Sequence, residues 1–190
     1  NGTWLGGIAG NWKGKFYTIR VQIEGKWSEE VVDPYARAAG VNGKRAQVID
    51  LRDTDPDLWR SDRSPAFKQK TDAIIYELHV RDASIHPSSG IQHKGKFLGL
   101  TESGTKNPDG LPTGIDHLAE LGVTHVHLLP VFDFNSVDEH DPNKRYNWGY
   151  DPLNYNIPEG SYSTDPSDGN FRIKEFKQLR SEEHTSELQS

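Results

Sequence analysis

Residues 73–80 read AIIYELHV and residues 124–131 read THVHLLPV. Both runs are short, mostly apolar and rich in β-branched or aromatic side chains. Such a run predicts a strand buried on both faces, as in a parallel sheet. Between them Ile115, Leu118, Ala119 and Leu121 make an apolar stripe at helical spacing. Gly122 follows where a left-handed C-terminal cap belongs, and Thr113 precedes Asp116 in a capping-box-like start with a shorter acid. Strand, helix, strand predicts a βαβ unit.

Outward from this unit the pattern changes on both sides. In residues 16–23 the odd positions Tyr17, Ile19, Val21 and Ile23 are apolar, while Thr18, Arg20 and Gln22 are polar. That period of two predicts a strand with one buried face. A tight turn at Glu24-Gly25-Lys26 lets residues 27–32 return as a hairpin partner, and residues 46–51 suit a third strand. The N-terminal part therefore reads as a small β-sheet domain, the end of a sandwich. Residues 52–65 carry Asp53, Asp55, Pro56, Asp57, Asp62 and Pro65 and read as a linker. Beyond the second parallel strand a loop is expected from Phe132 to about Gly169. Asn170 would then cap a last helix bearing Ile173, Phe176 and Leu179. A parallel pair alone leaves two open edges, so the second domain reads as interrupted.

Composition narrows the function classes. The chain has 190 residues, 33% apolar and 26% charged, which is globular rather than disordered or fibrous. With Cys 0, no disulfide, zinc-thiolate site or cysteine nucleophile is available. The net charge of −6, from 22 basic and 28 acidic residues, argues against bulk attraction to nucleic acid or an anionic membrane. Met is 0 and the chain starts at Asn1, as expected of a processed product or a fragment. Residues 180–190, RSEEHTSELQS, break from the preceding pattern and resemble the translation of a sequencing-adapter oligonucleotide, so they are expected to be an artefact.

Few residues announce chemistry. His125 and His127 alternate on one strand at a metal-compatible spacing, but no third ligand has a persuasive position. Packing and hydrogen bonding account better for both, and for His79. Glu77 and Asp82 flank the first parallel strand, with Asp82 at its C-terminal end, where α/β folds place their ligands. A capping or salt-bridge role suits each of them better. Asn42-Gly43-Lys44 lacks the spacing of a phosphate loop. The richest stretch is residues 146–162, YNWGYDPLNYNIPEGSY. Aromatic faces pack against the C–H faces of sugars. The same rings serve equally to close a core, and composition does not choose between the two.

YNWGYDP, residues 146–152, resembles the signature heptapeptide of type I pullulanases, in glycoside hydrolase family 13 of the α-amylase superfamily. IIYELHVRDAS (74–84) and THVHLLPVFDF (124–134) resemble that family's first two barrel strands. VVDPYARAAGVNGKRAQVIDL (31–51) resembles the end of a starch-associated β-sandwich, carbohydrate-binding module family 48. The resemblance covers nearly all of residues 1–179. It implies a β-sandwich end at 1–51, a linker at 52–72 and the first β/α units of a truncated (β/α)8 TIM barrel at 73–179, with the adapter-like tail at 180–190.

The resemblance also implies a retaining hydrolase that debranches α-1,6-glucosidic links in pullulan and amylopectin, with two close carboxyl groups as nucleophile and general acid. Its implied partners are α-glucan polysaccharides such as pullulan, amylopectin and glycogen; no cofactor, nucleic-acid or membrane partner is expected, no metal ligand is assigned, and metal use stays open. The family carries its nucleophile Asp, acid Glu and stabilising Asp after the fourth, fifth and seventh strands, and an Asp-x-x-x-Asn-His motif on the third. None has a counterpart here, so no catalytic residue is assigned and the chain alone is expected to be inactive. By motif position Tyr150 is the aromatic platform for the sugar before the cleaved bond. Trp148 lines the same subsite, and Tyr146, Asn147 and Asp151 support it. Trp4, Trp12 and Trp27 either line a glucan surface or fill the sandwich core, and burial is the expectation. Two alternatives remain: a non-catalytic α-glucan-binding protein, or another superfamily enzyme such as an isoamylase or neopullulanase. Secreted and cytoplasmic members both occur, so localisation stays open.

Overall fold

The computed structural model describes residues 5–185. Its strands are short and paired two by two. β1 (Phe16–Tyr17) pairs antiparallel with β4 (Ala46–Gln47), and β2 (Gln22–Ile23) with β3 (Lys26–Trp27). The β2–β3 turn is the two residues Glu24 and Gly25, both left-handed at φ 50° and 78°, a geometry that suits the twist of a hairpin. Lys26 belongs to the ladder rather than to the turn. Ile19 and Val31 extend the hairpin through reciprocal backbone bonds of 2.8 and 2.9 Å.

The expected buried face of this hairpin is covered only at its start, where Tyr17 and Ile19 are half-buried. Ile23 is 67% exposed, and Val21, Trp27 and Val31 are also exposed. Trp12 is exposed as well, so burial fails for two of the three expected core tryptophans, and Trp4 lies outside the described residues. What is buried here is a small cluster of Ala36, Ala39, Ala46 and Ile157, with Tyr17 and Val32 against it.

The parallel unit is present. β5 (Ile75–Leu78) pairs in parallel with β6 (His125–Leu128), Ile75 opposite His125 through Leu78 opposite Leu128. α1 (Gly114–Leu121) lies between them in sequence. Ile115 and Leu118 are its buried positions, while Ala119 and Leu121 of the expected stripe face solvent. Gly122 closes the helix at φ 76°. The capping box does not form, because other partners compete for its groups. The Thr113 hydroxyl donates to the Ser89 carbonyl at 2.5 Å, and Asp116 accepts from the Gly104 N–H at 2.5 Å. β5 is not buried on both faces either. Its Ile75 is 64% exposed, and Ile74 and Tyr76 are exposed too. Among the described residues β5 has one strand neighbour, and only its last residue, Leu78, with His79 and Val80 just after it, is buried. That core joins Leu78, Val80, Phe97, Leu100, Ile115, Leu118, Val126, Phe134, Tyr162 and Leu179.

The region from 132 to 169, expected as loop, contains a second antiparallel pair. β7 (Phe132–Phe134) pairs with β8 (Pro152–Pro158) through register shifts on either side of Asp133. Leu153, Tyr155 and Ile157 alternate with Asn154 and Asn156, but the bounding prolines and the shifts disguise the strand. α2 (Gly169–Thr185) follows. Its cap is Asp168, not Asn170. The Asp168 carboxylate accepts from the Asn170 N–H at 3.0 Å and from the Gln47 amide at 3.1 Å. Gln47 in turn accepts from the Gly169 N–H at 2.7 Å, so the strand β4 supplies part of the cap. Ile173, Phe176 and Leu179 face the core as expected.

α2 continues through residues 180–185, with Glu183 and His184 buried. The segment after β4 folds onto this helix in short 3-10 turns. Lys177 donates to Asp55 at 2.6 Å, to Thr54 at 2.8 Å and to the Leu51 carbonyl at 2.9 Å. His184 pairs with Asp62 at 2.8 Å, and the Ser64 hydroxyl sits 3.3 Å from its other nitrogen.

Candidate functional site

The stretch Tyr146–Asp151 lies beside the C-terminal end of β5, on the side where parallel units carry their ligands. Its shape comes from one side chain. The Asn147 amide oxygen accepts from the Gly149 N–H at 2.8 Å, and its nitrogen donates to the Asn135 carbonyl at 2.6 Å and to Asp151 at 2.8 Å. Gly149 is buried with φ 88°, and a Cβ there would sit 2.9 Å from Pro130 Cβ and 3.1 Å from its carbonyl oxygen. Only glycine accepts both that dihedral and that approach.

The residues following β5 hold the stretch in place. The His79 ring nitrogen Nε2 donates to the Asn147 carbonyl at 2.9 Å and lies 3.1 Å from the Tyr162 hydroxyl. Its Nδ1 accepts from the Asp82 N–H at 3.4 Å, which fixes the proton on Nε2. Tyr146 stacks on His79 at 5.5 Å, and its hydroxyl donates to Asp82 at 2.8 Å. Arg81 pairs with Asp82 at 3.0 Å and places its guanidinium 5.7 Å from the centre of the Tyr146 ring. Partial burial, then the Asp82 hydrogen bond and charge, pushes the Tyr146 phenol above its ordinary range.

The five expected site residues are thus brought together but do different things. Asn147 and Asp151 are spent on the internal hydrogen bonds of the loop. Tyr146 is half committed to His79 and Asp82. Trp148, 60% exposed, meets Tyr146 edge-on at 5.8 Å, and Tyr150, 68% exposed, projects furthest into solvent. Together they present aromatic faces and a few fixed polar groups at a strand end. An open hollow of about 310 Å³ lies nearby, lined by Tyr76, Glu77, His79, Asp82, Leu100 and His117.

The histidine pair does not form a metal site among the described residues. His127 pairs with Glu77 at 3.2 Å, while His125 packs edge-on against Phe67 at 4.7 Å. A different cluster, which the sequence reading missed, does gather acids. Asp133, Glu139 and Glu159 are all buried, with carboxylate oxygens within 4.8 Å of one another. The guanidinium of Arg172 lies against two of them, 3.0 Å from Glu139 and 3.4 Å from Asp133, and so takes the place of a cation. The available signal was an Arg on the core-facing stripe of α2, one residue before Ile173.

No family model matches the chain. It is 44% identical over 172 residues to the pullulanase of Bacillus subtilis (strain 168), covering 90% of this chain and 23% of that protein. The crystal structure of a pullulanase from Paenibacillus barengoltzii, in complex with maltohexaose and alpha-cyclodextrin, superposes with a TM-score of 0.92 at 56% identity. That match covers 95% of this chain and 28% of the other. The pullulanase of Bacillus acidopullulyticus gives a TM-score of 0.89 at 48% identity, over 95% of this chain and 22% of that one. The chain therefore spans about a quarter of the length of the proteins it matches, and the resemblance read from YNWGYDP extends over nearly all of it.

Proposed function

We propose, from this similarity to one segment of the pullulanases, that the chain is part of a retaining glycoside hydrolase that debranches α-1,6 links in pullulan and amylopectin-type glucans. In this reading residues 1–51 are the end of a starch-associated β-sandwich, 52–72 connect it, and 73–179 are the first units of a (β/α)8 barrel. The parallel β5–β6 pair with α1 between them supports the barrel reading. Residues 180–190 are then foreign to the enzyme, although 180–185 continue α2.

The observation that carries the proposal is the YNWGYDP loop, folded tightly at the end of β5 with Trp148 and Tyr150 left open. Tyr150 would be the platform under one glucose ring, Trp148 a wall of the same subsite, and Tyr146, Asn147 and Asp151 the frame. Two close carboxyl groups are required for retention. Residues 1–179 offer no counterpart of the family's nucleophile and acid, so this chain would hold an α-glucan without cutting it.

Affinity electrophoresis in amylopectin gels tests the reading. The chain should be retarded, and the double substitution W148A/Y150A should abolish the retardation. Incubation with pullulan should release no reducing ends. Retardation that is unchanged in W148A/Y150A would remove these aromatics from the site, and turnover that survives stringent washing would show that the chain has its own carboxylate pair.

A further inference from the structure

Asp133, Glu139 and Glu159 lie where the β7–β8 hairpin, α2 and residues 40–43 meet, away from the aromatic loop. Three buried carboxyl groups face one guanidinium. A second cation, Lys96, donates to the Ser161 carbonyl at 2.8 Å and feels the charges of Glu175, Glu139 and Glu159. Burial lowers its own affinity for a proton, and even fully charged it leaves three carboxyl groups facing two cations. With every acid ionised, the cluster holds an excess of buried negative charge.

The same groups join segments far apart in the chain. Glu139 accepts from the Asn42 N–H at 2.6 Å while its own N–H donates to the Asn42 side chain at 2.8 Å. Arg172 donates to the Gly40 carbonyl at 3.3 Å, to Pro158 at 3.1 Å and to Pro166 at 2.9 Å. Asn154 donates to Asp133 at 2.5 Å and to the Gly43 carbonyl at 3.1 Å. Glu159 accepts from the N–H groups of Phe134, at 2.9 Å, and Ser161, at 2.8 Å.

We propose that Asp133, Glu139, Glu159 and Arg172 form a proton-holding clasp. It closes the seam between residues 40–43, the β7–β8 hairpin and α2 while the cluster keeps a proton, and it loosens when that proton leaves. The charged and titratable groups facing it are Lys96 from the loop after β5, Asp138 beside Glu139, Tyr162 after β8, and Glu175 on α2. Asp138 is exposed and held below its ordinary range by the His140 N–H and the Asn42 side chain. Glu175 is engaged by Thr164. Neither Asp138 nor Glu175 supplies the missing positive charge.

The direction follows from burial. It raises Asp133 to about 7, opposed by Asn154 and Arg172 and reinforced by Glu139. It raises Glu159 to about 8, reinforced first by the charge of Glu139. An opened seam returns both groups to their ordinary range near pH 4. From there upward the closed form keeps a proton that the open form gives up. The closed form therefore loses ground as pH rises toward 7–8 and then levels off.

Hydrogen exchange on the 190-residue chain measures this. After division by the intrinsic rate, the opening constant at the Asn42 amide should climb between pH 5 and 7, about tenfold per pH unit for each proton that opening releases, and flatten above pH 8. In D133N and E159Q, which keep the shape and remove the titration, the climb should be shallower. A second measurement needs no variant: carbonyl-13C NMR of labelled Asp and Glu should show at least one carboxyl titrating above pH 6. An opening constant that stays flat from pH 5 to 8, or a full set of carboxyls titrating below pH 5.5, overturns the proposal.

Discussion

Gly149→Ala should destabilise the chain much more than Gly110→Ala, although the two glycines have similar backbones. Their φ values are 88° and 79°. An alanine forced into this left-handed region costs about 1–2 kcal/mol, and that is the whole expectation for Gly110, whose Cβ would meet nothing within 4 Å. At Gly149 the added carbon meets Pro130 Cβ at 2.9 Å, the Pro130 carbonyl at 3.1 Å and the Phe134 ring at 3.2 Å. Proline cannot rotate aside, and Phe134 is in the main core. Overpacking of this kind adds about 1–3 kcal/mol. The substitution should therefore cost about 2–5 kcal/mol in total, against about 1–2 for Gly110. Urea unfolding followed by far-UV dichroism gives both values on one chain background. Equal midpoints for the two variants would refute the close approach of the loop to Pro130, and with it the stated geometry of the aromatic stretch.

Two further substitutions probe the interior. Phe97→Ala removes a fully buried ring that meets Tyr162 at 5.5 Å and Phe176 at 5.1 Å, and should cost about 3–5 kcal/mol in the same unfolding assay. Arg172→Met leaves buried acids without their guanidinium and should cost about 3–5 kcal/mol at neutral pH. The loss should shrink at pH 5, where protonation discharges the same acids, and a loss independent of pH would contradict the charge imbalance.

How legible the molecule was depended on whether a feature is local. The β5–α1–β6 unit could be read because AIIYELHV, the Ile115–Leu118 pair and Gly122 each carry their own signal within a few residues. The core face of α2 was legible for the same reason. The β7–β8 hairpin was not, because Phe132 and Pro152 are twenty positions apart, and prolines and register shifts break the alternation. Thr113 and Asp116 misled, since the hydroxyl and carboxylate that would cap α1 are drawn instead to Ser89 and Gly104. Pattern also overstated burial. The alternation in Tyr17–Ile23 and the apolar run at Ile74–Tyr76 show which faces are greasy, but not whether anything covers them. In the candidate site the motif located the aromatics. It did not reveal that His79, Arg81 and Asp82 hold Tyr146 in place, because that depends on contacts across more than sixty residues. The acid cluster was invisible for the same reason.

The position of α2 has a consequence for biosynthesis. Arg172 reaches back 132 residues to Gly40, and Lys177 reaches back 126 to Leu51. A ribosome emits residues from the N-terminus at roughly 5–20 per second, so the nascent N-terminal strands wait on the order of ten seconds before their latch emerges. During that interval Gly40, Gln47 and Leu51 lack the partners that α2 later supplies, and the unpaired backbone beside β4 is open to any other chain that offers a strand. Slower elongation across residues 130–180 would lengthen the exposure, and a chaperone that shields the first fifty residues co-translationally would raise the yield of folded chain.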